Sequence, residues 1–114
     1  MAEKDEVKET IHDLYNMLSK REDQKSELLD INDVLLQVYK KIDDSKNPEA
    51  LVNRLVNYIR NAALKGRLHF DKQEEALMID LSVLGQKAGL NSIYQGDYSD
   101  KSQFYSYKEQ VPRR

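Results

Sequence analysis

The stretch Glu27-Leu28-Leu29-Asp30-Ile31-Asn32-Asp33-Val34-Leu35-Leu36-Gln37-Val38-Tyr39-Lys40-Lys41-Ile42 decides the fold. Leu28, Ile31, Leu35, Val38 and Ile42 recur at spacings of 3, 4, 3 and 4. That spacing puts all five on one face of a helix and charged residues on the other. It predicts a helix from about 25 to 44, with Asp23 or Ser26 as N-cap. Upstream, Val7, Ile11, Leu14 and Leu18 repeat the rule at 4, 3 and 4 and predict a helix from about 4 to 20.

Downstream, Asp43-Asp44-Ser45-Lys46-Asn47-Pro48 is a polar break. Asn47 can cap, and Pro48 suits the first helical position, where its missing N–H costs nothing. A third helix follows to about Lys65, with Leu51, Leu55, Tyr58, Ile59 and Ala62 as its apolar stripe and Gly66 as its stop. Asp71-Lys72-Gln73-Glu74 has the spacing of a capping box. It opens a fourth helix with Leu77, Leu81, Leu84 and Ala88 inward and Gly89 at its end, while Gly85 permits close packing. Four amphipathic helices on short links predict an all-α, antiparallel four-helix bundle over residues 1–89. Residues 90–114 form a tail holding Tyr94, Tyr98, Phe104, Tyr105 and Tyr107, five of the nine aromatics. Burying them offsets the ordering of only about 5–10 residues, so the tail is expected to pack partly on the bundle and to end loosely from Gln110.

The composition, 39% hydrophobic and 33% charged over 114 residues, fits one small domain of such helices. There is no Cys, which removes disulfides, thiolate nucleophiles and Cys-ligated metals. His12 and His69 show no zinc-ligand spacing, so no metal or other cofactor is expected. The acidic start, Met1-Ala2-Glu3-Lys4-Asp5-Glu6, has no apolar stretch of a secretory signal. The longest apolar run is four residues, Ala76 to Ile79, and lipid-anchor motifs are lacking, so a cytoplasmic protein is expected. Glu74 and Glu75 suit a helix N-terminus without any catalytic role, and no glycine pattern matches a nucleotide site, so no enzyme and no small-molecule substrate are expected.

Charge is uneven along the chain. Residues 1–45 carry 7 basic and 12 acidic groups; residues 46–70 carry Lys46, Arg54, Arg60, Lys65 and Arg67 against Glu49 alone. This basic element has two readings: a solvated face paired with the acidic first two helices, or a contact for an acidic protein or the anionic inner membrane surface. Nucleic acid is not the expected partner, because the helix opened by Asp71 would carry Glu74, Glu75 and Asp80 toward phosphate. The tail aromatics likewise read either as lids on the core or as a recognition surface.

Four stretches then carry a resemblance: Asp13-Leu14-Tyr15; Leu51-Val52-Asn53-Arg54-Leu55-Val56-Asn57-Tyr58; Phe70 to Glu75; and Ala88 to Tyr94 followed by Asp97 to Phe104. In order and spacing they resemble the immunity proteins of pediocin-like (class IIa) bacteriocins, closest to the enterocin A immunity type. The resemblance covers about residues 7–104 and implies the same four-helix bundle. It also implies a cytoplasmic protein that protects a cell by acting on the mannose phosphotransferase membrane components once the bacteriocin has bound them. Carried onto this chain, it places specificity from the third helix onward. The expected contacts are then Arg54, Arg60, Lys65 and Arg67 at the membrane surface, and Tyr94, Tyr98, Phe104, Tyr105 and Tyr107 on the receptor–peptide complex. The alternative is a helical adaptor or regulatory bundle, which needs an exposed apolar groove to hold another protein's helix.

Overall fold

A computed structural model describes residues 2–86, 101–106 and 108–112, without the side chains of Ala2 and Glu3. Its elements are α1 (Ala2–Ser19), α2 (Ser26–Lys41), a 3-10 turn (Ile42–Asp44), α3 (Pro48–Gly66), α4 (Lys72–Gln86) and a 3-10 turn (Lys101–Phe104). The described residues contain no strand. Each helix packs on two neighbours in the cyclic order α1, α2, α3, α4, α1. Short links make consecutive helices antiparallel, which gives the expected four-helix bundle.

The apolar stripes meet on the bundle axis. Ile11, Leu14, Leu18, Leu28, Ile31, Leu35, Ile42, Leu55, Ile59, Met78 and Leu81 are fully buried. On α3 the buried stripe is wider than Leu51, Leu55, Tyr58 and Ile59, and takes in Val52, Val56 and Ala63. On α4 the stripe is rotated from the expected one: Met78 and Gly85 join Leu81 and Leu84 inside, while Leu77 is half-buried. Gly85 marks the cause, since an added Cβ would lie 3.1 Å from the Asn53 backbone of α3. α4 therefore approaches α3 on its Gly85 side, and Met78, seven residues earlier, turns with it. Ala88 and Gly89 lie outside the described residues.

Two helix starts follow the expected chemistry. The Asn47 side chain accepts from the Ala50 N–H at 3.1 Å with Pro48 behind it. The capping box closes in both directions: the Glu74 N–H donates to Asp71 at 2.8 Å and the Asp71 N–H to Glu74 at 3.0 Å. Two other expectations are corrected. Neither Asp23 nor Ser26 caps α2; Lys25 holds that position without a side-chain cap. The linker is tied from elsewhere, by Gln24 donating to the Leu18 and Arg21 carbonyls and Lys25 to the Gly66 carbonyl. Gly66 is the last residue of α3, and the left-handed residue that ends the helix is Arg67, at φ 55°. Leu68 N–H returns to the Ala63 carbonyl and Arg67 N–H to that of Leu64, the paired bonds of a Schellman end. Glycine is needed at 66 for a different reason: a Cβ there would meet the Glu27 Cβ of α2 at 2.7 Å.

Candidate functional site

The described tail residues are fastened to the outer face of α2, beside its core stripe. Asp30, Asp33, Gln37 and Lys41 stand at i, i+3, i+7 and i+11 and so share that face. Lys101 donates to Asp30 at 2.8 Å, to Asp33 at 3.0 Å and to the Pro112 carbonyl at 2.7 Å. One to two helical turns along, Glu109 accepts from Gln37 and from the Ser106 N–H, both at 2.7 Å, and pairs with Lys41. Lys41 also donates to the Phe104 carbonyl at 3.2 Å. Between these attachments Phe104 is buried edge-on against Tyr58 of α3, with ring centroids 5.5 Å apart. The chain end is thus more firmly held than expected: Val111 and Pro112 are half-buried, and Lys101 binds Pro112.

The Lys41 bond, then the Ser106 N–H and Gln37, hold the Glu109 carboxyl down to about 2, against an ordinary 4.5. A depressed carboxyl favours the docked tail above its free value and gives up that contribution as the pH falls through its folded one. This attachment should therefore be constant from pH 8 to about 5 and fade only between about 4.5 and 2. The Ser106 amide, hydrogen-bonded to Glu109, is the reporter. Its NMR shift should titrate with a midpoint near 2, and a midpoint near 4.5 would mean that the tail is not docked.

Of the tail aromatics expected to make contacts, Phe104 is a core lid and Tyr105 is half-buried against the core. Tyr94, Tyr98 and Tyr107 lie outside the described residues. The basic residues do not form one face. At about 100° per residue, Arg54 and Lys65 share an azimuth and Arg60 lies roughly 120° away. Arg60 is exposed but reaches across the rim of the α3–α4 seam to make a two-pronged pair with Glu75, at 2.8 and 2.7 Å. Its partner thus comes from α4, not from the acidic α1 and α2. Arg54 is half-buried, whereas Lys65 and Arg67 are exposed at the end of α3. Arg67 borders an open cleft of about 770 Å³ between the α1–α2 and α3–α4 links. There Arg21 bonds the buried Glu74 and the His69 carbonyl. The Glu74 bond is also the main reason the Arg21 guanidinium holds its proton more tightly than usual.

Chemistry beyond binding finds little support in these groups. Glu74 and Glu75 are both engaged with arginines. Among the described residues no group of three or more His, Asp or Glu side chains is arranged to hold a metal ion. No described helix is long and apolar enough to cross a membrane.

The bacteriocin immunity protein family model matches residues 5–86. The chain belongs to this family. It is a family of immunity proteins and not of enzymes, and the match bears out the pediocin-like, enterocin A type resemblance of the sequence. Two curated relatives are similar over nearly their whole length. The chain is 55% identical over 105 residues, 92% of each chain, to a probable leucocin-A immunity protein of Leuconostoc gelidum. It is 56% identical over 97 residues, 85% of each chain, to a probable mesentericin-Y105 immunity protein of Leuconostoc mesenteroides. The 105-residue alignment runs past the family model into the tail. No solved structure matches the chain.

Asp30, Asp33, Gln37 and Lys41, which anchor the tail, form a polar i, i+3, i+7, i+11 row on α2 that reads like any solvated helix face. Lys101 falls in the stretch from Asp97 to Phe104 that carries the resemblance, but neither it nor Glu109 is marked in the sequence as an anchor.

Proposed function

We propose that this chain protects its cell against a pediocin-like bacteriocin of the leucocin A and mesentericin Y105 type. It acts from the cytoplasmic side, on the mannose phosphotransferase membrane components that have bound the peptide. The observation that carries this reading is the 55% identity over 92% of the chain to an immunity protein of that type. The exposed Lys65 and Arg67, with the half-buried Arg54 near the azimuth of Lys65, suit a loose contact with the anionic inner membrane surface. Arg60 has little part in that contact, because Glu75 neutralises it. The tail, with Tyr94, Tyr98, Tyr105 and Tyr107, carries the specificity, and Phe104 holds it in place from beneath.

The test is co-purification of the receptor components with the tagged chain from cells treated or untreated with peptide. Capture only after peptide treatment is expected. Capture that is absent or peptide-independent, in cells the chain protects, contradicts the mechanism.

The adaptor reading has one observation in its favour. A shallow groove of about 200 Å³ between α1 and α2 is lined by Ile11, Tyr15, Leu36 and Tyr39, and Leu36 is 44% exposed. It would be favoured by capture of a soluble protein through this groove in cells without the receptor.

A further inference from the structure

Lysine is almost never fully buried unless it is paired, and Lys101 is 5% exposed. Its ammonium has three N–H donors, and all three are used. Two go to carboxylates three residues apart on α2, Asp30 and Asp33, and the third to the carbonyl of Pro112, eleven residues further along the tail. The first two bonds fix where the tail lands on the bundle. The third fixes the path of the chain between, because it ties residue 101 to residue 112 and closes the loop.

An apolar side chain at 101 would take the donor from Asp30, Asp33 and the Pro112 carbonyl, and breaking a buried pair from one side is costly. It would not do the same job, since an apolar contact can slide, whereas an ammonium shared by three acceptors satisfies them in one arrangement only. Within the loop, two short backbone bonds set its shape: Tyr105 N–H to the Ser102 carbonyl and Glu109 N–H to the Ser106 carbonyl. Glu109 then fastens the far side to Gln37 and Lys41. The result presents Ser106, Lys108 and Gln110 outward on a loop clamped at both edges. A loop ordered beforehand loses less freedom when it meets a partner.

We propose that Lys101, with Asp30 and Asp33, is a positioning residue for partner recognition. It holds residues 102–106 and 108–111 in the single conformation that meets the receptor–peptide complex. The proposal rests on the reading that the tail carries specificity, and it adds that α2, outside the specificity half, dictates the tail's shape. A tail exchanged between relatives then works only where the three partners of Lys101 are preserved.

The experiment uses the full chain, its Lys101→Met variant and its Asp30→Asn, Asp33→Asn double variant. The double variant reaches the same release from the α2 side. Amide hydrogen exchange separates tail from bundle, and the peptide concentration that halves growth of cells expressing each protein at equal level reads protection. In both variants the Tyr105 and Glu109 amides should exchange at least tenfold faster, with the amides of α1 to α4 unchanged and protection lowered tenfold or more. Full protection with a released tail overturns the proposal and leaves the immunity reading standing. Unchanged tail exchange in both variants overturns it too, as does faster exchange throughout α1 to α4, which would make Lys101 a support of the bundle itself. A wild-type chain that protects against no peptide removes the immunity reading, and the recognition role of Lys101 with it.

Discussion

Leu35→Ala will lower the unfolding free energy by about 2–5 kcal/mol, the range for deleting three methyl(ene) groups from a packed core. Leu35 has no exposed surface and stands midway along the α2 stripe that faces the bundle axis. The cavity it leaves is walled by residues of several helices, so no single side chain can move to fill it. A domain of this size is stable by only about 5–15 kcal/mol, so the variant should melt roughly 8–20 °C lower. Thermal unfolding followed by circular dichroism at 222 nm measures this. The same truncation at the neighbouring Leu36, which is 44% exposed, should cost under about 1 kcal/mol. Equal losses at the two positions would show that α2 turns a different face to the core.

The second large effect is expected at Arg21→Met. The side chain of Glu74 is only 3% exposed, whereas that of Arg21 is 27% exposed. Arg21 donates to Glu74 through both Nε and Nη2, and also reaches the His69 carbonyl. Removing the guanidinium leaves the buried Glu74 carboxylate at the wall of the cleft without its cation, and breaking a buried pair from one side costs about 3–5 kcal/mol. The partial exposure of Arg21 puts the expectation at the lower end, about 3 kcal/mol. Glu74 also accepts from the Asp71 N–H, so the start of α4 loosens with it. The double variant Arg21→Met, Glu74→Gln should recover at least half of the loss, because the glutamine keeps the capping bond and carries no charge. Urea titration of Arg21→Met, Glu74→Gln and the double variant checks this. Additive losses would show that the two side chains act independently.

Much of this bundle is legible in the sequence because helices declare themselves locally. The 3-4-3-4 spacing of Leu28 to Ile42 is a property of seventeen consecutive residues from Ser26, and the structure buries all five of its apolar members. The Asn47-Pro48 start and the Asp71–Glu74 box are equally local. What the sequence hides is set by contacts between distant segments. Gly66 looks like a helix stop, and it does stand at the end of α3, but it is needed because Glu27 lies against it, 39 positions earlier. The left-handed turn falls to Arg67, a residue with no preference for it. The rotation of α4 that buries Met78 depends on how two helices meet, not on the period of either.

The site divides in the same way. Arg54, Arg60, Lys65 and Arg67 are adjacent enough in sequence to suggest a patch, yet the helix turns Arg60 away from the others to pair with Glu75 at the rim of the α3–α4 seam. The tail aromatics announce a segment unlike the rest. Nothing local announces that Lys101 finds its partners 71 and 68 positions back and 11 ahead. A buried lysine reads as an exposed one until its acceptors are in place.

The most direct test of the account is protection. A strain carrying the mannose-system receptor and sensitive to pediocin-like peptides is made to express this chain, and the inhibitory concentration of each peptide in a panel is compared with that of the empty strain. A rise of tenfold or more is expected for one or a few peptides and none for the others. Equal killing by every peptide, with the protein folded and abundant in the cells, would contradict it.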